Sequence, residues 1–401
     1  MNLGVYHGYF WFPIDDKDKP IETVFSGTFT YNKNELILEI HYPNIKEYFD
    51  KFRYPLLHGE IGDECPITFF DFSMSQWEGD SFIRGYAKYA VIGKHLNSFN
   101  EDEISKCNVK YQYINEWIKP DCFYWKLGEI ETITIDKPKT HIPKLIMDIN
   151  EDTALTLHSG LTIHNVINYN YSINLHFVLK IISLNKKTIN DIIDLVGEFS
   201  QFMSFVLQSK QYPEQIIYDD EFELLFNYKE STKPKYPPLI PFDLFKDKLS
   251  EMYKVWHNVF SELLPLCKYY INSLCYDDFD IPDFVFVAHA LDGYYKRFIS
   301  NKRMSYENKL KDLIEKRFND IDIIKECDID TEVFKDSRDK YSHWIPDSEQ
   351  IKSVGGRELY LLTQKGVILL TCCFLNLLGL NNEEINICCK NARLQNRLNI
   401  L

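Results

Sequence analysis

The sequence lacks the short motifs that usually indicate nucleotide, zinc or hydrolase chemistry. Its 401 residues contain no G-x-G-x-x-G, no G-x-x-x-x-G-K-[ST], no H-E-x-x-H and no G-x-S-x-G. Those patterns place glycine backbone around phosphates, histidines around zinc, or a serine on a strained turn. Dinucleotide-binding, P-loop, zincin and α/β-hydrolase functions therefore have no support of the usual kind.

Metal-ligand spacing is missing as well. There are ten cysteines but no C-x-x-C, only the adjacent pairs at 372–373 and 388–389. Zinc sites use ligands two to four residues apart on a turn, so the pattern predicts reduced, mostly buried thiols of a cytoplasmic protein. His58 and His95 lie near glycines and are expected at turns, not as ligands.

The chain has neither a long apolar run nor an excess of positive charge. The longest apolar stretch, 366–380, has 15 residues, whereas a transmembrane helix needs about 20, so it predicts a buried core helix. The first residues show no basic segment before an apolar core, and no signal peptide is expected. With 45 Lys+Arg against 59 Asp+Glu, the net charge of −14 disfavours nucleic-acid binding over the whole surface.

The first half of the chain has the period of β-strands. Every second residue is apolar from Leu36 to Tyr42 and from Val109 to Tyr113. Such alternation, rich in aromatic and β-branched residues, is typical of half-buried antiparallel strands. Gly27, Gly59 and Gly85, among other glycines, are expected at turns or bulges. This part is predicted to form an all-β sandwich or barrel-like domain.

The period becomes helical after residue 188. A helical repeat follows, then a strand-like piece at 221–226, then a segment with four prolines between 234 and 241 that is the best linker candidate. The pattern predicts a β-rich sensor or regulatory domain over 1–235 and a helical bundle over 236–401. Helices are predicted at 242–274, 283–299, 306–318, 331–344 and 357–378.

Charge is distributed unevenly between these parts. Residues 1–235 hold 23 Lys+Arg and 34 Asp+Glu, a balance of −11, whereas 236–401 hold 22 and 25, a balance of −3. Within the bundle, 296–317 has eight basic residues against three acidic ones. On charge alone such a run indicates a solvated helix face; the alternative is a strip that attracts phosphate.

The segment 336–344, DSRDKYSHW, holds residues suited to acid–base chemistry on phosphates. Arg338 and His343 are five apart, about 140° around an ideal helix. Asp339 and His343 share a face, so the carboxylate can fix the imidazole tautomer, and arginine presents a planar fork to phosphate oxygens. The simpler alternative is a surface helix with Asp336–Lys340 and Asp339–His343 ion pairs.

This R-x4-H segment, near a helix end in an all-helical C-terminal domain, resembles the catalytic motif of HEPN ribonucleases. Arg338, Asp339 and His343 match its positions. The segment 289–298, HALDGYYKRF, resembles the earlier HEPN helix, in which an acidic residue follows an Ala-Leu pair. Asp292 takes that place, where glutamate is usual.

The N-terminal half resembles the β domain of ApeA-like proteins, a prokaryotic HEPN group linked to defence against phages. The matching segments occur in order at 8–13, 26–31, 36–40, 90–93 and 113–117. The resemblance covers nearly the whole chain. It implies an α+β multidomain protein, in which an antiparallel β sandwich or barrel-like domain precedes an all-α HEPN bundle.

The resemblance also implies a metal-independent endoribonuclease without a cofactor, in which a 2′-OH attacks the adjacent phosphorus. His343 would transfer the proton and Arg338 would stabilise the charge on the phosphoryl oxygens. Asp339 would orient the imidazole, and Asp292 would join the hydrogen-bond network. The residues expected to hold the RNA backbone by charge are Lys340, Lys296 and Arg297.

The expected partners are an RNA substrate, with tRNA among the candidates, a second copy of the HEPN domain, and a phage-encoded activator; no membrane is expected. A dimer would bring two R-x4-H motifs to one cleft and supply the second acid–base group. The implied role is abortive infection by an RNase held inactive until triggered. Two alternatives stay open: an inactive HEPN-type RNA- or protein-binding module with a β ligand-sensing domain, and a carbohydrate-binding β module with an accessory bundle.

Overall fold

The structure is a computed structural model. It describes residues 3–13, 23–32, 35–49, 51–101, 103–118, 125–127, 133–135, 145–166, 170–227, 229–274, 279–346 and 351–398. The chain forms two compact units, the first made of 1–112, 142–197 and 212–231, and the second of 113–141, 198–211 and 232–401. The division at residue 235 stays a prediction, and the units are not two continuous segments, because 113–141 and 198–211 belong to the second.

Antiparallel strands build the first unit. The strands of the described residues are β1 Gly4–Trp11, β2 Phe25–Tyr31, β3 Leu36–His41, β4 Arg53–Ile61, β5 Cys65–Glu78, β6 Phe82–Ala87, β7 Tyr89–Ile92, β8 Ile104–Tyr111, β9 Trp125–Leu127, β10 Ile133–Ile135, β11 Leu145–Asp148, β12 Thr153–Val166, β13 Asn170–Lys187, β14 Pro213–Tyr218 and β15 Phe222–Phe226. β9 and β10 pair with each other within the second unit.

Strands β1 to β6 form a closed six-stranded barrel. Their order is β5-β4-β1-β2-β3-β6, and β6 pairs again with β5. β5 also pairs with β7, from which a sheet continues in the order β15-β14-β8-β13-β12-β11. The predicted barrel-like antiparallel domain is therefore confirmed, and a flanking sheet extends it.

The period-2 pattern identifies the barrel core correctly but misplaces the glycines. Leu36 and Leu38 are at most 1% exposed. Gly27 and Gly59 lie inside strands, not at turns: a Cβ would stand 2.1 Å from the Glu39 carbonyl oxygen at Gly27 and 2.5 Å from the Phe10 ring at Gly59. The turn prediction is wrong at these positions, since glycine serves there to let a neighbouring strand or ring approach closely.

His58 and His95 form a stacked pair on the barrel, called here the barrel histidine pair. His58 lies in β4, not at a turn, and is 6% exposed. Its Nε2 lies 2.8 Å from the Leu96 carbonyl oxygen, and His95 Nε2 lies 2.9 Å from the Gly59 carbonyl oxygen. The rings stack at 4.9 Å between centroids, so the pair fastens the loop after β7 to β4.

Helices dominate the second unit. The helices are α1 Ile114–Ile118, α2 Ile189–Leu207, α3 Phe242–Phe245, α4 Leu249–Ser273, α5 Ile281–Tyr294, α6 Tyr306–Lys311, α7 Asp322–Cys327, α8 Thr331–His343, α9 Gly356–Leu377 and α10 Asn382–Asn391. The unit boundary falls within α2. π-Helical turns, Tyr295–Ile299 and Asp312–Arg317, extend α5 and α6, and 3₁₀ turns occur at Ile45–Glu47 and Leu394–Arg397. All five predicted helices are present, although 242–274 is split into α3 and α4.

The apolar helix α9 forms the centre of the second unit. It is long and apolar enough to cross a membrane, but 78% of its most apolar window is buried within the protein, as in a core helix. A Cβ at Gly366 would lie 2.8 Å from the Val287 side chain on α5 and 3.0 Å from the Phe334 ring on α8. Both α5 and α8 therefore pack closely on α9, and this contact fixes their mutual position.

The prediction that the thiols are mostly buried is confirmed for the cysteines that the structure describes. All eight are free, and all except Cys65 are buried. Burial raises the pKa of the Cys107 thiol to about 12, so it stays protonated near neutral pH. Cys122 and Cys275 lie outside the described residues.

Candidate active site

Helix α8 carries the R-x4-H segment and has defined ends. The Asp330 side chain accepts hydrogen bonds from the backbone N–H groups of Glu332 and Val333, which caps the N-terminus. The helix ends at His343, and Trp344 follows in the left-handed region at φ 53°. His343 is exposed, and Trp344 is 80% exposed. The motif histidine thus lies in the last helical turn, at the surface.

A buried anchor holds α8 in place. Phe334 is fully buried against the rings of Phe284 and Tyr306, at centroid distances of 5.2 and 6.3 Å. Ser337, also fully buried, accepts a hydrogen bond at 3.1 Å from the Val354 N–H. The apolar contact and the polar one fix the rotation of the helix, which determines the direction of the next residue, Arg338.

The acidic residues of α8 pair differently from the surface ion pairs that the sequence suggests. Asp336 is buried, lies 2.9 Å from Lys335 Nζ and accepts the Lys352 N–H at 2.8 Å. Burial raises the pKa of the Asp336 carboxyl, but these hydrogen bonds outweigh it, so the pKa lies below its usual value. Asp336 is therefore a structural residue that ties the following loop to the helix.

Asp339 lies on the arginine side of the motif. Its Oδ1 accepts from Arg338 Nη1 at 2.8 Å, and its Oδ2 lies 3.3 Å from Lys335 Nζ. Within the described part of the chain, no hydrogen bond joins Asp339 to His343. The carboxylate is bonded instead to two charged donors, which form strong hydrogen bonds, so the orienting role expected for Asp339 stays a prediction.

Arg338 is held from two sides. Besides Asp339, the Tyr306 ring supports it, with the guanidinium carbon 5.3 Å from the ring centroid. Tyr306 is itself fixed, because its hydroxyl donates to the Ala288 carbonyl at 3.0 Å and burial raises its pKa well above the usual value. Arg338 Nε is buried without a hydrogen-bond partner among the described residues. An unsatisfied buried donor costs stability, so this guanidinium is not arranged for stability alone.

An open cleft of about 430 Å³ lies beside Arg338 and is called here the basic cleft. Its lining residues are Asp292, Lys296, Asn301, Lys302, Arg303, Met304, Tyr306, Lys309 and Arg338. Five of these nine are basic and one is acidic, in a chain whose net charge is −14. The volume falls within the range of ~300–1,000 Å³ that ligand sites occupy. The cleft therefore concentrates positive potential that attracts an anion.

Asp292 organises two lysines of the basic cleft. Its Oδ2 lies 2.7 Å from Lys296 Nζ and its Oδ1 lies 2.6 Å from Lys309 Nζ, whose side chain is only 6% exposed. Partial burial raises the pKa of Asp292, but the two lysine hydrogen bonds outweigh it and keep the pKa below its usual value. Asp292 is thus ionised and positions cations, and no hydrogen bond joins it to Arg338 or His343 among the described residues.

Most of the basic run 296–317 divides into two groups. Lys311 pairs with Glu307, and Lys316 and Arg317 both pair with Asp312, so the expectation of a solvated, ion-paired face describes these residues. Four more line the basic cleft, namely Lys296, Lys302, Arg303 and Lys309, and Arg297 belongs to neither group. One sequence run therefore contains both a surface ion-pair network and the wall of a site.

The three lysine and arginine residues expected to hold RNA are separated in the structure. Only Lys296 lines the basic cleft. Arg297 is exposed and extends back over Gly293, and Lys340 Nζ lies 5.8 Å from the Tyr341 ring centroid. A direct role of Arg297 and Lys340 in this cleft has no support from their positions.

A second histidine, His289, stands at the site and is not among the sequence-predicted site residues. It is exposed on α5, one turn before Asp292, and its Nε2 lies 3.4 Å from the Ser342 Oγ on α8. Partial burial lowers its pKa, and the charges of Arg338, His343 and Lys296 lower it further, against the effect of Asp292. The sequence does contain a sign of its place at the site: His289 lies three residues before Asp292, and this spacing puts both side chains on one helix face.

Metal-ligating side chains do not cluster in the described part of the chain: it has no group of three or more His, Cys, Asp or Glu residues able to hold an ion. A supported guanidinium and several amines line the basic cleft, while the two imidazoles lie outside its lining, on the neighbouring helices α5 and α8. Such a set can transfer protons and stabilise negative charge.

Two family models match the chain. The model of ApeA N-terminal domain 1 matches residues 5–256, and the model of the Apea-like HEPN domain matches residues 285–384. The second match contains most of α5, all of α8 and the whole basic cleft, and it indicates a nuclease module of the ribonuclease type. No curated protein and no solved structure matches the chain. Since the first model alone covers more than half of the sequence, the chain belongs to the ApeA-like HEPN family.

Proposed function

We propose that the protein is an endoribonuclease that cleaves RNA by attack of a 2′-OH on the adjacent phosphorus. The observation that carries the proposal is the basic cleft with Arg338 at its edge, in a chain that is acidic overall. Cationic side chains gathered at one place on an acidic protein favour a polyanion there and disfavour it elsewhere. The HEPN match supports the same class of substrate.

Two residues of the R-x4-H motif perform the chemistry in this proposal. His343 is exposed at the end of α8 and transfers the proton, and Arg338 stabilises the charge that develops on the phosphoryl oxygens. The nucleophile is part of the substrate, so no metal is required to activate water. Asp339 acts on Arg338, whose Nη1 it holds at 2.8 Å, and not on the imidazole.

The basic cleft holds the RNA backbone in this proposal. Asp292 fixes Lys296 and Lys309, while Lys302 and Arg303 extend the positive surface. Each phosphate contact adds affinity that falls as the salt concentration rises. The cleft therefore determines where the RNA lies, and the motif determines where it is cut.

The biological proposal is anti-phage defence by abortive infection. An RNase must be restrained in a healthy cell, so the protein stays inactive until a phage-encoded partner triggers it. HEPN domains are proposed to pair in a homodimer, which light scattering at micromolar concentration tests directly. RNA cleavage compared with and without lysate from infected cells tests the trigger.

The decisive experiment compares wild type, His343→Ala and His7→Ala on total RNA. His7 is an exposed histidine in β1 and serves as the matched control. In the presence of lysate from infected cells, which supplies the trigger, wild type and His7→Ala are expected to cleave RNA in EDTA above the lysate background and to leave 2′,3′-cyclic phosphate or 3′-phosphate ends, detectable by mass spectrometry. Loss of cleavage in EDTA with recovery in magnesium, or full cleavage by His343→Ala, would contradict the proposal.

A second candidate is an RNA- or protein-binding module without catalysis. The Arg338–Asp339 contact favours it, because a guanidinium already bound to a carboxylate resembles a structural ion pair. This candidate predicts that RNA is retained on the protein but never cut, with or without the infected-cell lysate.

A further inference from the structure

Cleavage by a 2′-OH requires two proton transfers. A base removes the proton of the 2′-OH as the O2′–P bond forms, and an acid protonates the 5′ oxygen as the P–O5′ bond breaks. A single imidazole must perform both steps in sequence, whereas two imidazoles of opposite protonation state perform them together. The expected source of a second imidazole is a partner chain, but the structure contains one in the same chain.

His289 and His343 lie on either side of the α5–α8 contact, close enough for the charge of one to act on the other, and are called here the α5–α8 histidine pair. His289 Nε2 lies 3.4 Å from the Oγ of Ser342, the residue next to His343. Both histidines are exposed, so a substrate can reach both rings. The close packing of α5 and α8 on α9 at Gly366 holds the two helices in this relation.

We propose that His289 is the base that removes the 2′-OH proton, while His343 is the acid that protonates the leaving 5′ oxygen. This inference rests on the proposed ribonuclease function. Neutral His289 gains one proton and protonated His343 loses one, and the products are a 2′,3′-cyclic phosphate and a 5′-OH. No oxidant, metal or further reactant is needed for the balance.

The surroundings of His289 fit the role of a base. On its own helix it faces Asp292 and Lys296, and on α8 it faces Arg338, Ser342 and His343. Three of these neighbours can carry positive charge and one carries negative charge, so the neutral imidazole is favoured. A neutral ring nitrogen can accept a proton. Arg338, which lies near His289, can stabilise the negative charge that develops on the phosphate during the attack.

The contact between His289 and Ser342 is too weak to give His289 a structural role. At 3.4 Å it is a long hydrogen bond, and shorter ones, about 2.7–3.2 Å, are typical when a group fixes a fold. An exposed imidazole with a weak contact contributes little to stability. Its removal is therefore expected to change the pH profile and the rate, and to leave the melting temperature nearly unchanged.

The first test uses an oligonucleotide whose scissile 5′ oxygen is replaced by sulfur. A thiolate leaves without protonation, since thiols have a pKa near about 8.5. His343→Ala is expected to recover most of its loss on this substrate, whereas His289→Ala stays about 10²-fold or more below wild type. On the oxygen substrate, His289→Ala should also lose the acidic limb of the kcat/KM profile. His7→Ala should behave as wild type.

Several outcomes would overturn the inference while the ribonuclease function stands. These are full activity of His289→Ala, an unchanged acidic limb, or recovery of His289→Ala on the sulfur substrate. Absence of cleavage by wild type with and without infected-cell lysate removes the ribonuclease function itself, and with it this inference.

The second test does not depend on turnover. Histidine-specific ¹³C labelling allows the imidazole of His289 to be titrated by NMR in the full chain, with its signal assigned from His289→Gln. The pKa of His289 is expected to rise in His343→Ala, because a neighbouring positive charge is removed, and to stay unchanged in His7→Ala. An unchanged titration in His343→Ala would show that the two rings do not share a site.

Discussion

The barrel histidine pair and the α5–α8 histidine pair have the same composition but differ in how their ring nitrogens are bonded. In the barrel, His58 and His95 stack at 4.9 Å, and each Nε2 is bonded to a backbone carbonyl at 2.8 or 2.9 Å. On α5 and α8, His289 and His343 are exposed, and the contact between the helices is a 3.4 Å approach to Ser342.

The difference teaches what makes an imidazole available for chemistry. A ring nitrogen that donates to a backbone carbonyl fixes the tautomer, and at His58 moving that proton breaks a buried bond. A ring nitrogen at the surface beside fixed cations is free to accept or release one. Stacked histidines bonded to backbone carbonyls therefore hold the fold, and exposed histidines beside an arginine are candidates for proton transfer.

Removing the guanidinium beside the α5–α8 histidine pair is expected to have the largest effect. Arg338→Ala should lower the cleavage rate by about 10²–10³-fold, or roughly 3–4 kcal/mol, as in comparable charge-stabilising sites. Arg338→Lys should recover little, because an ammonium cannot bond Asp339, stack on Tyr306 and present a fork to phosphate together. Single-turnover rates at saturating RNA measure the effect.

The matched control is Arg317→Ala, an arginine of the surface ion-pair network that pairs with Asp312. It should retain full activity. Arg338→Ala and Arg317→Ala should both have melting temperatures within a few degrees of wild type. For Arg338 the reason is that its buried Nε has no partner among the described residues, so the side chain contributes little net stability. A strong loss of stability in Arg338→Lys, with activity retained, would place Arg338 in the fold and not in the chemistry.

The second expected effect is on stability and concerns the Asp292–Lys309 ion pair in the wall of the basic cleft. Lys309→Met leaves Asp292 with only Lys296 in a mostly buried place. It should cost about 3 kcal/mol of unfolding free energy, the lower end for breaking a buried pair, because one partner remains. Lys311→Met, which breaks the surface pair with Glu307, should cost no more than ~0.5 kcal/mol.

A double variant sharpens this result. If Lys309→Met is costly because a carboxylate is left without its partner, then Lys309→Met with Asp292→Leu should recover a large part of the loss, since apolar residues replace buried pairs well. Urea unfolding of both variants measures the recovery. A double variant less stable than Lys309→Met alone would mean that Asp292 supports the fold through other contacts.

Much of the fold follows from the sequence because its patterns are local. Period-2 alternation at Leu36–Tyr42 predicts a barrel strand, and the long apolar period in 357–378 predicts the core helix. Helix α8 ends at His343, one residue before its predicted end. This end is predictable because Pro346, close by in the sequence, disfavours helical geometry in the residue before it. The short helices α7 and α10 were missed, since six and ten residues barely display a period.

The site is less predictable because its contacts are long-range. Whether Lys309 faces solvent or Asp292 depends on how α6 packs on α5, which no local pattern states. Asp339 has the sequence spacing for a hydrogen bond with His343, yet its carboxylate is bonded to the neighbouring Arg338. His289 lies inside the quoted HEPN-like segment, but only the packing of α5 and α8 on α9 brings it to the motif.

The third effect concerns pH and the barrel histidine pair. Burial lowers the pKa of His58, and the neighbouring His95 lowers it too, against the Leu96 carbonyl and Glu101. The unfolded chain, with a histidine pKa near about 6.5, therefore binds the proton more readily than the folded one. Stability is full above about pH 6.5 and falls as the pH drops toward the folded-state pKa, by at most ~1.4 kcal/mol per pH unit.

His58→Gln isolates this contribution. The amide can still donate to the Leu96 carbonyl but does not titrate in this range. The difference in unfolding free energy between wild type and His58→Gln should depend on pH below about 6.5 and become constant above it. A difference that stays constant from pH 7 to 5 would contradict the depressed pKa.

The smallest expected effect distinguishes the cleft from the rest of the basic surface. Lys302→Ala and Arg303→Ala should each weaken RNA binding modestly and reduce the slope of log affinity against log salt by about 0.7, the value for one single-strand phosphate contact. Arg297→Ala and Lys340→Ala should change the slope less, because neither residue lines the basic cleft. Each substitution is combined with His343→Ala, which is expected to prevent cleavage, and binding is measured by fluorescence anisotropy at several salt concentrations. Equal slope changes for all four variants would mean that RNA contacts these four basic residues alike, and the basic cleft would then have no special role in binding.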